Sequence, residues 1–257
     1  MKKIGLIPSR FASSRFPGKA LHHIQGFPMF VHVYYRAKMS SLDQVFVCTD
    51  DERIFKIGKN YKVDMLMTSP EHDTGIDRCF EASNKLKTKD DDIILDIQGD
   101  EPLTNPQLLD DIVDNFNPNI SDICFPFLEH KEKNDFGIVK IVTNASNRVL
   151  FMSRADIPHP YRENYNLKRQ IGLIAFTGKS LKIFNQTPVT TLENVEGVEM
   201  LRAFDSNLKI TTFETKYNSR AVDYPEDAEF VNELMKSDPI FPLYKDQLKE
   251  LNKNIKN

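Results

Sequence analysis

Three cysteines in 257 residues leave little material for a disulfide framework. Cys48, Cys79 and Cys124 stand far apart with no C-x-x-C pair, and their odd number leaves at least one outside any intramolecular bridge, so reduced, buried thiols are the expectation. No apolar run approaches the roughly 18 residues needed to span a bilayer. The apolar start Ile4-Gly5-Leu6-Ile7 is cut off by Pro8 and Arg10, too early for a secretory leader. A soluble cytoplasmic protein without a membrane partner follows. Charge of one sign is also missing: 34 Lys and Arg against 37 Asp and Glu give a net charge of −3, which argues against a nucleic acid as the main partner. Neither a Walker A loop nor a G-x-G-x-x-G turn is present, which speaks against P-loop NTPases and dinucleotide dehydrogenases. There is no internal repeat and no low-complexity linker. What remains is an ordinary globular composition, 40% hydrophobic and 28% charged, at a length suited to one large α/β domain.

The apolar pattern alternates between two periods. Lys3 to Pro8 reads as a buried strand, and the polar stretch Ser9 to Lys19 separates it from a helical pattern at Phe30, Val33, Tyr34 and Ala37. Val45 to Cys48 repeats the strand, and Thr49-Asp50-Asp51-Glu52 suits the first turn of a helix. Val63 to Met67 and Ile93 to Ile97 read as further strands, with helices around Ile76 to Ala82 and Leu108 to Phe116. Such alternation implies a mostly parallel, doubly wound sheet. After Ile123 the runs Ile138 to Val142, Val149 to Met152 and Ile171 to Phe176 suggest an antiparallel or mixed portion. Helices are expected at Leu192 to Leu201 and Pro225 to Met235, a strand at Leu208 to Phe213, and a frayed helix in the polar tail from Asp246.

Three segments carry chemistry. The loop Pro8-Ser9-Arg10-Phe11-Ala12-Ser13-Ser14-Arg15-Phe16-Pro17-Gly18-Lys19 leaves the carboxyl end of the first strand with two arginines, one lysine and three hydroxyls. Open α/β sheets bind ligands at that edge, and such donors match a polyphosphate; a solvated basic loop is the plainer alternative. Gln98-Gly99-Asp100-Glu101-Pro102 ends a buried strand in carboxylates, and a carboxylate beside a polyphosphate points to Mg²⁺, the alternative being a turn with an Asp cap. Asp223, before Pro225-Glu226-Asp227, reads as a helix cap or a second metal ligand.

Together these blocks resemble the cytidylyltransferase family that activates 3-deoxy-manno-octulosonate (KDO). The resemblance runs through most of the chain, from Ile7-Pro8-Ser9-Arg10 and Arg15-Phe16-Pro17-Gly18-Lys19, past Gln98-Gly99-Asp100-Glu101-Pro102, Val139-Lys140 and Ser153-Arg154, to Leu201-Arg202 and Asp223 with Pro225-Glu226-Asp227. It implies a Rossmann-like nucleotidyltransferase spanning residues 1–245, with a small mixed β lobe around 136–190 serving the acceptor and dimerisation, and a homodimer that uses CTP and Mg²⁺. By the same resemblance, Arg10, Ser14, Arg15 and Lys19 grip the triphosphate, with Pro8 and Ser13 beside them. Thr74, Gly75, Arg78 and Gln98 border the cytidine, and Asp100 and Asp223 hold the magnesium. Lys19, Arg15 and Asp100 form the catalytic set. A hydroxyl of the acceptor attacks the α-phosphorus of CTP and pyrophosphate leaves, with no covalent enzyme intermediate.

The acceptor side, implied as Gln98, Lys140, Arg154, Gln170, Ile174, Glu199 and Met200, departs from the family pattern. Gln170 stands where His is usual, Ile174 where Tyr is usual, and Met200 where a Gln binds sugar hydroxyls. A site that loses hydrogen-bond partners changes its preferred ligand. For the acceptor two readings stay open: KDO retained through neighbours such as His159, Tyr161 or Arg169, or a related acid such as an amino-substituted 3-deoxy-octulosonate or another acidic acceptor. A nucleotidyltransferase acting with another base or on a phosphorylated acceptor, and a catalytically silent nucleotide-binding protein, are the further alternatives.

Overall fold

The computed structural model describes residues 1–13, 15–218 and 220–256, with side chains as far as residue 253. The chain begins with β1 (Lys3–Pro8), β2 (His23–Ile24), β3 (Phe27–Pro28), α1 (Met29–Ala37), β4 (Gln44–Thr49) and α2 (Glu52–Asn60). It continues through β5 (Met65–Met67), α3 (Gly75–Lys85), β6 (Ile93–Asp96), α4 (Pro106–Asn115), β7 (Ile123–His130) and β8 (Lys140–Thr143). Then come β9 (Val149–Ser153), β10 (Leu167–Gln170), β11 (Ile174–Thr177), α5 (Gly178–Gln186) and α6 (Thr191–Glu196). The last elements are α7 (Arg202–Asp205), β12 (Ile210–Glu214), α8 (Pro225–Lys236) and α9 (Pro242–Lys256). Close contacts group them into two units, one of residues 2–88, 95–110 and 220–256, the other of residues 1, 89–94 and 111–218.

In the first unit the strand order is β5-β4-β1-β6, with β1 parallel to β4 and β4 parallel to β5. Ile4, Leu6 and Ile7 of β1 and Val45, Val47 and Cys48 of β4 are buried, as a parallel sheet covered by helices demands. The helices start where the sequence offers caps. The Asp51 carboxylate accepts from the backbone of Arg53 and Ile54 to open α2, and the Thr74 hydroxyl accepts from Asp77 N–H to open α3. From residue 246 the chain is helical, as expected, and packed where fraying was expected: within α9, Leu248 and Leu251 are buried, and Tyr61 Oη bonds to Asn252. A fully buried Arg36 donates to Asp238 and to the Tyr244 hydroxyl, tying α1 to that helix and the turn before it.

The second unit is built around β7. β12 lies parallel to it, while β10 and then β11 run antiparallel to it. The register slips by two residues between Gln170↔Phe127 and Ala175↔Cys124. The single strand expected over Ile171 to Phe176 is therefore broken by a bend at Gly172, with β10 lying earlier than the apolar run suggested. Beyond β10 come β8 and β9, both antiparallel, with an irregularity at Val142/Thr143. The helix expected over Leu192 to Leu201 is divided too. Gly197, at φ 60°, ends α6 in the left-handed conformation, and a short 3-10 turn follows at Glu199–Leu201. All three cysteines are buried and unpaired, and no helix among the described residues is long and apolar enough to cross a membrane.

Candidate active site

The basic loop leaves β1 at Pro8, where Ser9 N–H donates to Cys48 O of β4 (2.8 Å). It closes on itself through Gly18 N–H to Phe11 O (2.9 Å), and Gly18 takes φ +72°, with the Phe11 ring where a side chain would lie. Arg10 donates to Asp73 O at 3.3 Å. Ser13 is partly exposed; Ser14 lies outside the described residues. Lys19 opens a one-turn 3-10 segment whose basic end points its ammonium at three oxygens: Asp100 Oδ2 at 2.6 Å, Val222 O at 3.1 Å and Asp223 Oδ1 at 3.4 Å. Arg15 donates to the same Asp223 oxygen at 2.8 Å and lies over the Tyr224 ring at 5.3 Å.

Two distant stretches meet here because Val222 N–H donates to Asp100 O at 2.9 Å, which lays residues 222–223 against the turn after β6. Asp227, at the start of α8, accepts from the backbone N–H of Asp223 and Tyr224. Partial burial opposes its ionisation, yet these two donors and Arg220 hold the Asp227 carboxyl below the usual range. Asp223 is therefore positioned by the cap of α8 without being the cap itself. Gly99 is needed at its place for space: a Cβ there would lie 2.5 Å from Ser9 Oγ and 2.6 Å from Pro8 O.

The residues expected around the base sit in the same unit. Gly75 opens α3 against Pro8, whose ring carbon would be 3.2 Å from an added Cβ. Gln98 Nε2 donates to the buried Asp96 carboxylate at 3.1 Å. Arg78, 2% exposed, spends its guanidinium on Thr68 Oγ1, Ser69 O and Asp50 Oδ2. Its geometry is that of a brace joining α3 to the strand ends.

Of the residues expected to meet the acceptor, only Gln98 lies in the first unit. In the second, Lys140 is fully buried, with its ammonium on the carbonyls of Asp135, Ile138 and Arg154. Arg154 donates to the carbonyls of Phe136, Gly137, Glu196 and Gly197. Both cations thus hold the second unit's loops together in this structure. Ile174 and Met200 are buried, while Gln170 and Glu199 are partly exposed. An open cavity of about 410 Å³ is formed by the consecutive residues Pro158–Tyr165, which include His159 and Tyr161. Sequence reasoning missed the Glu196 carboxylate, which accepts from Ser153 Oγ (2.7 Å) and Arg154 N–H (2.9 Å), and the buried two-point pair of Glu193 with Arg202. The S/T-x-x-E spacing at Thr190 to Glu193 signals a capping box, but nothing in it signals Arg202.

Two carboxylates from separate stretches, converging on one cation beside a basic loop at the carboxyl edge of a parallel sheet, form an arrangement for phosphoryl chemistry. The comparisons agree. A sequence model of the family described as cytidylyltransferase matches residues 4–210. The chain is 35% identical over 245 residues to 3-deoxy-manno-octulosonate cytidylyltransferase 2 of Hydrogenovibrio crunogenus, covering 91% of this chain and 98% of that one. It is 37% identical over 229 residues to 8-amino-3,8-dideoxy-manno-octulosonate cytidylyltransferase of Shewanella baltica, covering 86% and 94%. Among solved structures, CMP:2-keto-3-deoxy-manno-octonic acid synthetase complexed with CTP superposes with a TM-score of 0.85 at 32% identity, covering 92% of this chain and 99% of that one. A match of this extent in sequence and in fold makes the chain a nucleotidyltransferase that belongs to the cytidylyltransferase family.

Proposed function

We propose that this enzyme couples the CMP moiety of CTP to a 3-deoxy-octulosonate, an acidic eight-carbon sugar, with release of pyrophosphate. The observation that carries the reading is the convergence of Asp100 and Asp223 on Lys19 under the basic loop. The oxygen-rich donor pair already gathers a cation, as a site for the hard Mg²⁺ ion requires. Asp100 and Asp223 would hold that ion, which when bound neutralises charge on the phosphates. Arg10, Arg15 and Lys19 grip the triphosphate, with Pro8 and Ser13 beside them, and Thr74, Gly75 and Gln98 border the nucleoside. Arg78 acts there through the strand ends it braces. The acceptor hydroxyl attacks the α-phosphorus in line with the departing pyrophosphate, and the cations stabilise the developing charge.

The acceptor is a variant of KDO in this reading. Identity to the KDO and the 8-amino enzymes is nearly equal, so the choice rests on Gln170, Ile174 and Met200. Each hydrogen bond withdrawn from a sugar hydroxyl forfeits roughly 0.5–1.5 kcal/mol, so two such losses, about 1–3 kcal/mol together, lower KDO efficiency by roughly fivefold to 150-fold. The protein works as a homodimer: the strand β9, at the end of its sheet, exposes Leu150 and Phe151, and Phe136, Leu192 and Val195 of the same unit are exposed as well. The test is kcat/KM for KDO, 8-amino-3,8-dideoxy-octulosonate and related acids as acceptors, measured side by side at saturating CTP. A modified acid is expected to exceed KDO by at least about fivefold, and KDO as the best acceptor would overturn the altered specificity.

A further inference from the structure

Asp100 and Asp223, the carboxylates that would hold a divalent ion, both face the ammonium of Lys19 in this structure, 2.6 Å from one and 3.4 Å from the other, with Val222 O as its third partner. Arg15 closes the charge balance on Asp223 at 2.8 Å. Two cations thus face two carboxylates, and Lys19 is only 17% exposed. We propose that Lys19 is a stand-in cation that keeps the metal carboxylates closed until a triphosphate arrives, so that the divalent ion enters only together with CTP. This rests on the reading of Asp100 and Asp223 as the metal carboxylates.

The argument is one of exchange. A free divalent ion must displace the ammonium and leave it beside a doubly charged neighbour, with one carbonyl and little water to receive it. A triphosphate changes the balance, because Lys19 and Arg15 trade carboxylate oxygens for phosphate oxygens and keep the number of charge-assisted bonds. The carboxylates are released at the moment the ion comes with the nucleotide. Metal and nucleotide binding are then positively coupled, and by linkage each raises the affinity for the other by the same factor.

The experiment is a Mn²⁺ titration followed by electron paramagnetic resonance, without nucleotide, on the wild type, Lys19→Met, Lys19→Arg and the double variant Lys19→Met/Asp100→Asn. Lys19→Gln serves in place of Lys19→Met should the latter melt early. Removing the charge is expected to tighten Mn²⁺ binding at least tenfold, Lys19→Arg to stay at the weak wild-type level, and the double variant to return to that level. A lysine with only a structural role would give no gain of binding. Mn²⁺ binding in Lys19→Met no tighter than in the wild type would overturn the proposal. Turnover of Asp100→Asn separates the two readings. If it collapses while Lys19→Met gains no affinity, the stand-in role alone fails; if it stays at the wild-type rate, Asp100 holds no metal and both fail.

Discussion

Gly99→Ala adds one methyl group at the place where the end of β1 and the turn after β6 come closest. The new Cβ would stand 2.5 Å from Ser9 Oγ and 2.6 Å from Pro8 O, and the next atom is Ile7 Cγ2 at 3.4 Å. The Ser9 hydroxyl can rotate away, but Pro8 O belongs to the main chain of β1, which is paired with β4 from Ile4 to Pro8. The turn carrying residues 98–100 must therefore retreat by several tenths of an ångström. Overpacking of this kind costs roughly 1–3 kcal/mol. The same displacement moves Asp100, whose carboxylate sits 2.6 Å from Lys19, and misplacement on the ångström scale lowers rates by up to about a hundredfold. Gly99→Ala is expected to lose stability in urea denaturation and at least tenfold in kcat/KM for CTP. Adding Ser9→Gly is expected to restore little of either, because the carbonyl clash remains. A Gly99→Ala enzyme with unchanged midpoint and unchanged kcat/KM would refute the reasoning.

Other outcomes follow from the same geometry. Asp100→Asn is expected to lower kcat a hundredfold or more, about 3 kcal/mol of transition-state stabilisation, in a pyrophosphate-release assay at saturating Mg²⁺; a near wild-type rate would remove Asp100 from the metal site. Arg15→Ala and Lys19→Ala are each expected to lower kcat/KM for CTP, and an unchanged value in both would make the loop a solvated surface. The buried His32 donates from Nε2 to Ile24 O, which leaves Nδ1 to accept from Tyr244 Oη, so it is neutral. Burial lowers its pKa from 6.5 to about 4, with Arg36 adding to the effect and the Ile24 carbonyl opposing it. The unfolded chain then binds the extra proton, so the stability this residue contributes is present above pH 6.5 and is lost as the pH falls toward 4, by no more than about 3 kcal/mol. Denaturation midpoints between pH 7 and 4 check this: His32→Gln is expected to flatten that slope, and an unaltered slope would contradict it.

The parallel half of the fold was legible because its strands are buried on both faces and read as unbroken apolar runs, and its helices open at Asp51 and Thr74, which advertise themselves as caps. The site was legible to the same degree: the loop, Asp100 and Asp223 stand out as charge at strand and helix ends. That both carboxylates close on Lys19 was not legible, since it depends on the backbone bond from Val222 to Asp100, and backbone pairing leaves no mark on side-chain chemistry. The antiparallel unit misled in two places. Gly172 lets the chain bend between β10 and β11 inside an apolar run, and Gly197 stops α6 where the apolar spacing continues to Leu201. Lys140 and Arg154 were placed on the acceptor side by the resemblance alone, and their bonds to main-chain carbonyls leave no mark in the sequence.

The most direct test of the account is the product itself. Purified enzyme with CTP, Mg²⁺ and either KDO or its 8-amino form is analysed by mass spectrometry, with pyrophosphate measured in parallel. A CMP–octulosonate conjugate formed in equal amount with pyrophosphate, from CTP in preference to ATP, GTP or UTP, is the predicted result. Absence of conjugate and of pyrophosphate with both acids, from a folded enzyme, would contradict it.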